Sequence, residues 1–117
     1  MITLAPGVAI YLATAPTDMR KGFDGLMHVV AEHVRKNVLD GGLYVFFNRS
    51  RNRVKLLWWQ EGGLCIWYQR LERGTFEVPK VAADAKSAVL TPTELSLILG
   101  GIELSSVRRR KRYRRTA

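Results

Sequence analysis

Apolar residues recur along this chain with two different periods, and the change of period separates a helical stretch from an extended one. Val8 to Ala13 is apolar and β-favouring and is followed by Pro16, which predicts a first strand. Thr17 or Asp18 then makes a good N-cap. From there Met19, Phe23, Leu26, Met27, Val30, Val34 and Val38 fall at helical spacing, one stripe along about five turns. Arg20, Lys21, Asp24, His28, Glu32, Arg35 and Lys36 occupy the opposite face, and Asp40-Gly41-Gly42 ends the predicted helix. Gly22 and Gly25 disturb this picture, since each weakens a helix by about 1 kcal/mol relative to alanine. Close approach of another backbone would explain them, as would a helix that begins later.

The middle of the chain changes to strands. Leu43 to Asn48, Val54 to Gln60, Leu64 to Leu71 and Thr75 to Val78 are rich in aromatic and β-branched residues. Turn signals separate them at Asn48 to Arg53, Glu61-Gly62-Gly63 and Arg73-Gly74. Such short connections predict an antiparallel meander, because parallel neighbours need long crossovers. Pro79 stops the fourth of these strands, and Lys80 to Ala88 is a polar linker. Thr91-Pro92-Thr93-Glu94 then supplies an N-cap, a proline at the first helical position and a capping-box glutamate. Leu95, Ile98 and Leu99 give that helix a short apolar face, closed by Gly100-Gly101.

These elements predict a single α+β domain over residues 1–104. It comprises a mainly antiparallel sheet of four or five strands, one long amphipathic helix on a face of the sheet, and a short C-terminal helix. A composition 47% hydrophobic and 25% charged fits a packed body. The apolar runs are too short or too charged to span a bilayer, and MITLAPGVAIYL lacks the basic start of a signal peptide, so a cytoplasmic protein is expected. Cys65 is the only cysteine, which excludes an internal disulfide and predicts a buried thiol in an apolar strand.

Charge alters the picture once it is located. Of the formal +9, seven charges lie in the run RRRKRYRR, at Arg108, Arg109, Arg110, Lys111, Arg112, Arg114 and Arg115, which leaves about +2 for the rest. Residues 105–117 are therefore expected to be a disordered basic tail, able to act as an arm that neutralises phosphates. Within the body, Arg49, Arg51, Arg53 and Lys55 alternate with no acid between Gly41 and Gln60. As an extended strand they would all point to one side; as a hairpin tip they would fan out around the turn. Either arrangement is a basic patch, bordered by asparagines that can donate to phosphate, whereas a purely structural hairpin would use the same charges to discourage edge pairing. Arg20 and Lys21, in the predicted first helical turn, oppose the helix dipole. They either bind a phosphate there or pair with Asp18 and Asp24.

Catalysis finds less support. A metal-dependent nuclease or transposase needs several carboxylates converging on two cations, and the acids here are scattered singly. His28 and His33 are five apart, on different sides of a helix, and no phosphate-binding glycine loop is present. No metal, cofactor or catalytic residue is assigned. Strand alternation places Trp58 and Trp59 on opposite faces, and likewise Trp67 and Tyr68. Trp58, Trp59, Trp67, Tyr68 and Phe76 invite a base-stacking reading but are mainly core residues, with an exposed member left for a partner surface.

Three blocks of this sequence carry a family resemblance. They are Pro16-x-Asp18-Met19-Arg20-Lys21-Gly22-x-Asp24-Gly25-Leu26, then Asn48-Arg49-x-x-x-Arg53-x-Lys55-Leu56-Leu57-Trp58-Trp59, then Gly63-Leu64-Cys65-x-Trp67-Tyr68-x-Arg70-Leu71-Glu72-x-Gly74-x-Phe76. In this order and spacing they resemble the TnpB (second open reading frame) accessory proteins of insertion-sequence-sixty-six-type elements, over roughly Gly7 to Ile102. The resemblance implies a small protein encoded beside a separate DDE transposase and needed for efficient transposition. Nothing in the chain matches the longer RNA-guided nucleases that share the TnpB name. Two features depart from the pattern: Asn37 to Gly42 stands in place of an Asp-Pro-rich link, and the arginine tail lies beyond the shared region. The expected function is a non-catalytic accessory factor that binds DNA at the element ends through Arg49, Arg51, Arg53 and Lys55, helped by Arg20, Lys21 and the tail. The alternative is a module that docks the transposase without reading DNA.

Overall fold

The structure is a computed structural model and describes residues 7–100. Its strands are β1 (Ile10–Ala13), β2 (Leu43–Phe47), β3 (Arg53–Gln60), β4 (Gly63–Arg70) and β5 (Ser87–Leu90). They form one five-stranded sheet in the order β4-β3-β2-β1-β5. Three of the four pairings are antiparallel, and the fourth, β1 with β2, is parallel. A parallel neighbour requires a crossover, which here carries the first helix, α1 (Phe23–Val29). The second helix, α2 (Pro92–Leu99), follows β5. The α+β architecture expected from the periodicities is therefore the one found.

The sheet has a core on each side. Ile10, Leu12, Leu43, Val45, Phe47, Val54 and Leu56 face α2 and bury Leu95, Ile98 and Phe76 against them. Ala13, Tyr44, Phe46 and Leu57 face the other way and bury Leu26, Val30, Val34 and Val38. Every residue of β2 is buried, so Leu43-Tyr44-Val45-Phe46-Phe47 reads as an uninterrupted apolar run.

Two elements differ from expectation. The apolar stripe of the first helix is buried from Leu26 to Val38, but the helix is shorter than its pattern. It starts at Phe23, with Gly22 as N-cap, and passes into a π-helical turn over Val30–Val34. Arg35, left-handed at φ 58°, stops it, and a separate 3-10 turn at Val38–Asp40 delivers Val38 to the same core. Asn37 caps that turn through Leu39 N (3.0 Å), a local hydrogen bond that competes with helix continuation. Phe23, placed on the apolar stripe by spacing, is instead 49% exposed.

The fourth predicted strand is also corrected. Thr75 to Val78 pairs with no strand, and the chain after Arg70 crosses the α2 side of the sheet with Phe76 buried against Phe47. The fifth strand forms instead at Ser87–Leu90, partly within the supposed polar linker, paired antiparallel with β1 from Ala13↔Ser87 to Ile10↔Leu90. Hydrophobicity conceals it because Val89 faces solvent at 70% exposure and only Leu90 is buried. The capping box of α2 forms as its sequence predicts: Glu94 N donates to Thr91 Oγ1 (3.0 Å) and Thr91 N to Glu94 Oε1 (2.9 Å).

The burial pattern predicts unequal responses to truncation in two strands. Leu56→Ala, in the α2-side core, should destabilise the protein by about 2–5 kcal/mol. Val89→Ala should stay within about 0.5 kcal/mol. Urea unfolding of both variants measures this, and similar losses would contradict the assigned faces of β3 and β5.

Candidate nucleic-acid interface

The crossover begins with a loop that leaves β1 and runs over the end of β2. Thr14 ties its start to the segment before β5, donating from Oγ1 to the Ala85 carbonyl (2.6 Å). Buried Thr17 ties its middle to β2, donating from N to the Phe47 carbonyl (2.8 Å). Asp18 then closes a turn, its Oδ1 accepting from Arg20 N (2.9 Å). Lys55 secures the loop's end. Its Nζ donates to the carbonyls of Met19 (2.7 Å) and Lys21 (2.8 Å) and lies 4.7 Å from the centre of the Tyr68 ring. A lysine only 8% exposed must be compensated in this way, because burying an ammonium without acceptors is unfavourable.

The opposite wall is the turn between β2 and β3, and the structure divides the four basic residues: Arg49 and Arg51 lie in the turn, whereas Arg53 and Lys55 belong to β3. Asn48 Oδ1 accepts from Asn52 N (3.0 Å) and Arg53 N (3.0 Å), while its Nδ2 donates to Asn52 Oδ1 (2.7 Å). The Asn48 amide, expected as a phosphate donor, thus closes the turn. Arg51 holds a left-handed conformation at φ 56°, and its carbonyl accepts from Phe76 N (2.7 Å); the Asn52 carbonyl accepts from Leu71 N (2.8 Å). The chain after β4 therefore braces the turn from outside.

Loop and turn enclose a shallow open groove of about 570 Å³, lined by Pro16, Thr17, Asp18, Met19, Arg20, Asn48, Arg49, Ser50 and Arg53. Two motifs some thirty residues apart in sequence meet here, three arginines against one carboxylate. Arg49 and Arg51 are exposed on the turn, and half-buried Arg53 opens β3 and donates from Nη1 to the Tyr68 hydroxyl (2.9 Å). The ion pairs between described residues are Arg20–Asp18 and Arg70–Glu72, and neither involves Arg49, Arg51 or Arg53.

The remaining expected site residues fall differently. Lys55 does not join the exposed patch, because alternation along β3 turns it under the loop. Arg20 and Lys21 lie before the helix, not in its first turn. Arg20 grips Asp18 through Nε and Nη2, the shortest distance being 2.7 Å, while Lys21 is exposed and in no ion pair. A Cβ at Gly25 would come within 3.0 Å of the Lys21 Cβ, so this glycine accommodates a side-chain stem, not another backbone. Arg108, Arg109, Arg110, Lys111, Arg112, Arg114 and Arg115 lie outside the described residues.

Tyr68 enters the site through strand register; composition marks it only as one of an aromatic set. The signal for it is the two-residue turn Glu61-Gly62, left-handed at both positions, which pairs Gln60 with Gly63 and so sets Lys55 opposite Tyr68. As alternation requires, Tyr68 and Trp59 are exposed, whereas Trp58 and Trp67 pack on the α2-side core. Cys65 is half-buried, not the buried thiol expected. Among the described residues no three His, Cys, Asp or Glu side chains are grouped to hold a metal ion, and no helix is long and apolar enough to cross a membrane.

These anchors make two predictions. Lys55→Met keeps the stem but strips the Met19 and Lys21 carbonyls of their donor. It should cost about 1–3 kcal/mol in urea unfolding and expose residues 18–22 to faster proteolysis; wild-type proteolysis there would show that Lys55 does not hold the loop. The Arg20 guanidinium beside Asp18 lowers its carboxyl from 3.8 to about 2, chiefly by side-chain hydrogen bonding. With the folded value depressed, the pair's contribution is present above the ordinary carboxylate range and lost as pH falls through about 2. An NMR titration should find that midpoint, and Arg20→Ala should return it towards 3.8.

Comparison with known proteins gives relatives and a family for this chain. The chain is 38% identical over 103 residues to the uncharacterized protein y4hO of Sinorhizobium fredii (strain NBRC 101917 / NGR234), covering 88% of each chain. It is 30% identical over 110 residues to the uncharacterized protein y4jC of the same strain, covering 94% of this chain and 92% of that one. No solved structure matches it. The model of the family described as IS66 Orf2 like protein matches residues 8–109, which takes in Arg108 and Arg109 and so extends the shared region beyond Ile102 into the tail. The chain belongs to this IS66 Orf2-like family, accessory proteins associated with the transposition of insertion sequences.

Proposed function

We propose that the protein is a non-catalytic accessory factor that binds DNA, mainly through phosphate contacts, and assists a separate DDE transposase at the element ends. The observation that carries this reading is the groove in which Arg20, Arg49 and Arg53 converge from two separate motifs. A guanidinium offers a planar fork of donors that matches phosphate oxygens, and neither Arg49 nor Arg53 takes part in the Arg20–Asp18 or Arg70–Glu72 pair. The turn that bears them is fixed by side-chain and main-chain hydrogen bonds before any ligand arrives, so little order has to be gained on binding. Arg51 and Lys21 extend the same charge outward. The arginines of the basic tail supply further phosphate contacts, and Lys55 contributes by holding the loop.

The groove lacks the carboxylates that two-metal strand cleavage requires. Asp18 is its single acid and is held by Arg20. A second reading, docking of the transposase without DNA readout, draws on Trp59 and on Val89, which gives β5, an edge strand among the described residues, an apolar side chain in solvent.

The test is a DNA-binding titration across salt concentrations. It compares the full chain, a chain ending at Val107, and Arg49→Ala/Arg51→Ala/Arg53→Ala with and without the tail. Removing one cation from a duplex phosphate should flatten the log–log salt slope by about 0.9. The triple substitution should therefore weaken binding and lower the slope by about 2 to 3 even in the shortened chain. Binding that vanishes on truncation and ignores the three arginines would show that the folded body does not contact DNA, and would favour the docking reading.

A further inference from the structure

Tyr68 sits where the groove ends, and its surroundings are unusual for an exposed aromatic. Tyr68 is 45% exposed on β4, an edge strand of the sheet among the described residues. Its hydroxyl accepts from Arg53 Nη1 at 2.9 Å, and Arg53 itself lines the groove. The Lys55 ammonium lies 4.7 Å from the ring centre, held there by two main-chain carbonyls. One face and one end of the ring are thus held by cations, while close to half of the residue stays exposed.

We propose that Tyr68 is a base-stacking platform, and that the groove takes single-stranded DNA in preference to duplex. This inference rests on the proposed DNA-binding function and specifies its substrate. A ring pinned in this way presents a flat apolar surface with little rotamer freedom left to lose. Beside it lie the arginines that would follow the backbone. A basic track with a π surface at its edge matches a ligand whose charges and flat rings alternate, which is how sequence-tolerant single-strand binding is built. In a duplex the base faces are covered by their stacked neighbours, so the ring has no base face to meet there; an unpaired base can lie on it. A protein partner would gain from the ring's apolar surface but would also have to match the cations around it.

Stacking and phosphate binding leave different signatures, and this makes the proposal testable. Binding of an oligothymidine of about 12 nucleotides and of a duplex of the same length is measured across salt, with the full chain and with Tyr68→Leu, Tyr68→Phe and Arg49→Ala. The full chain should bind the single strand more tightly. Tyr68→Leu should weaken single-strand binding by about tenfold at every salt concentration, without changing the slope and without affecting the duplex. Tyr68→Phe keeps the ring and should retain most of that affinity. Arg49→Ala should lower the slope for both ligands. Photocrosslinking of a bromodeoxyuridine-substituted strand should map to Tyr68 in the unmodified protein, independently of how the variants fold. Equal single-strand affinity in Tyr68→Leu, or crosslinks confined to other residues, overturns the platform; if Arg49→Ala still weakens binding, the DNA-binding reading stands without it. Should neither ligand bind the full chain, both fail together.

Discussion

A strand buried on both faces cannot be satisfied by a sheet with one cover, and β2 is such a strand. Leu43, Val45 and Phe47 need partners on one side, Tyr44 and Phe46 on the other. The chain meets this demand with two helices that lie on opposite faces, and a helix inserted between β1 and β2 makes their pairing parallel. The crossover then has to pass over the end of β2 from which the turn to β3 also emerges. The meeting of residues 16–20 with residues 48–53 is therefore a consequence of how the central strand is covered. The candidate site is a product of the topology, placed where two connections share one end of a strand.

Position alone would not give the groove a stable shape, because connections exposed to water have few apolar contacts to hold them. Here the restraint is polar. Lys55 projects from the sheet beneath the loop and converts two unpaired carbonyls into acceptors of a charged donor, which is stronger than a neutral hydrogen bond. Asn48 does the corresponding work in the turn, where its carbonyl oxygen gathers two main-chain amides. By contrast, the Arg20–Asp18 pair is solvated on both sides, and such pairs add little to stability. Its effect is on conformation and on charge: it shapes the turn and offsets part of the arginine's positive potential.

Much of this is legible in the sequence, for reasons that can be stated residue by residue. A sheet of five strands is within the expected range, three of them follow from composition in the middle of the chain, and the capping box of α2 is readable because its side chains bond locally. Burial of Leu26, Val30, Val34 and Val38 is legible from spacing, but spacing does not report where backbone hydrogen bonds stop. Arg35 in a left-handed conformation and the Asn37 cap end the helix while leaving the stripe intact. The strand at Ser87–Leu90 is hidden because its pairing is a main-chain matter and its side chains are mostly half-buried or exposed. Thr75 to Val78 has the composition of a strand, yet its best-buried residue, Phe76, packs onto Phe47 across the sheet face instead of extending an edge.

The candidate site is legible as two charged motifs and not as one groove, and Lys55 marks the boundary between the two kinds of information. Alternation along β3 correctly puts Arg53 and Lys55 on the same face, but it does not say what covers that face. The loop covers Lys55 and leaves Arg53 at the rim, so two basic residues with the same parity acquire different duties. Their separation is also what gives Tyr68 its place, because the register of the Glu61-Gly62 hairpin sets the ring over the buried ammonium while its hydroxyl reaches the rim arginine. A substitution that shifted this register by one residue would turn the β4 side chains to the other face of the sheet. The stacking surface and the ring's hold on the loop anchor would then disappear together, although neither Arg53 nor Lys55 had changed. The chemistry of the site therefore depends as much on a two-residue turn at the far end of the hairpin as on the cations themselves.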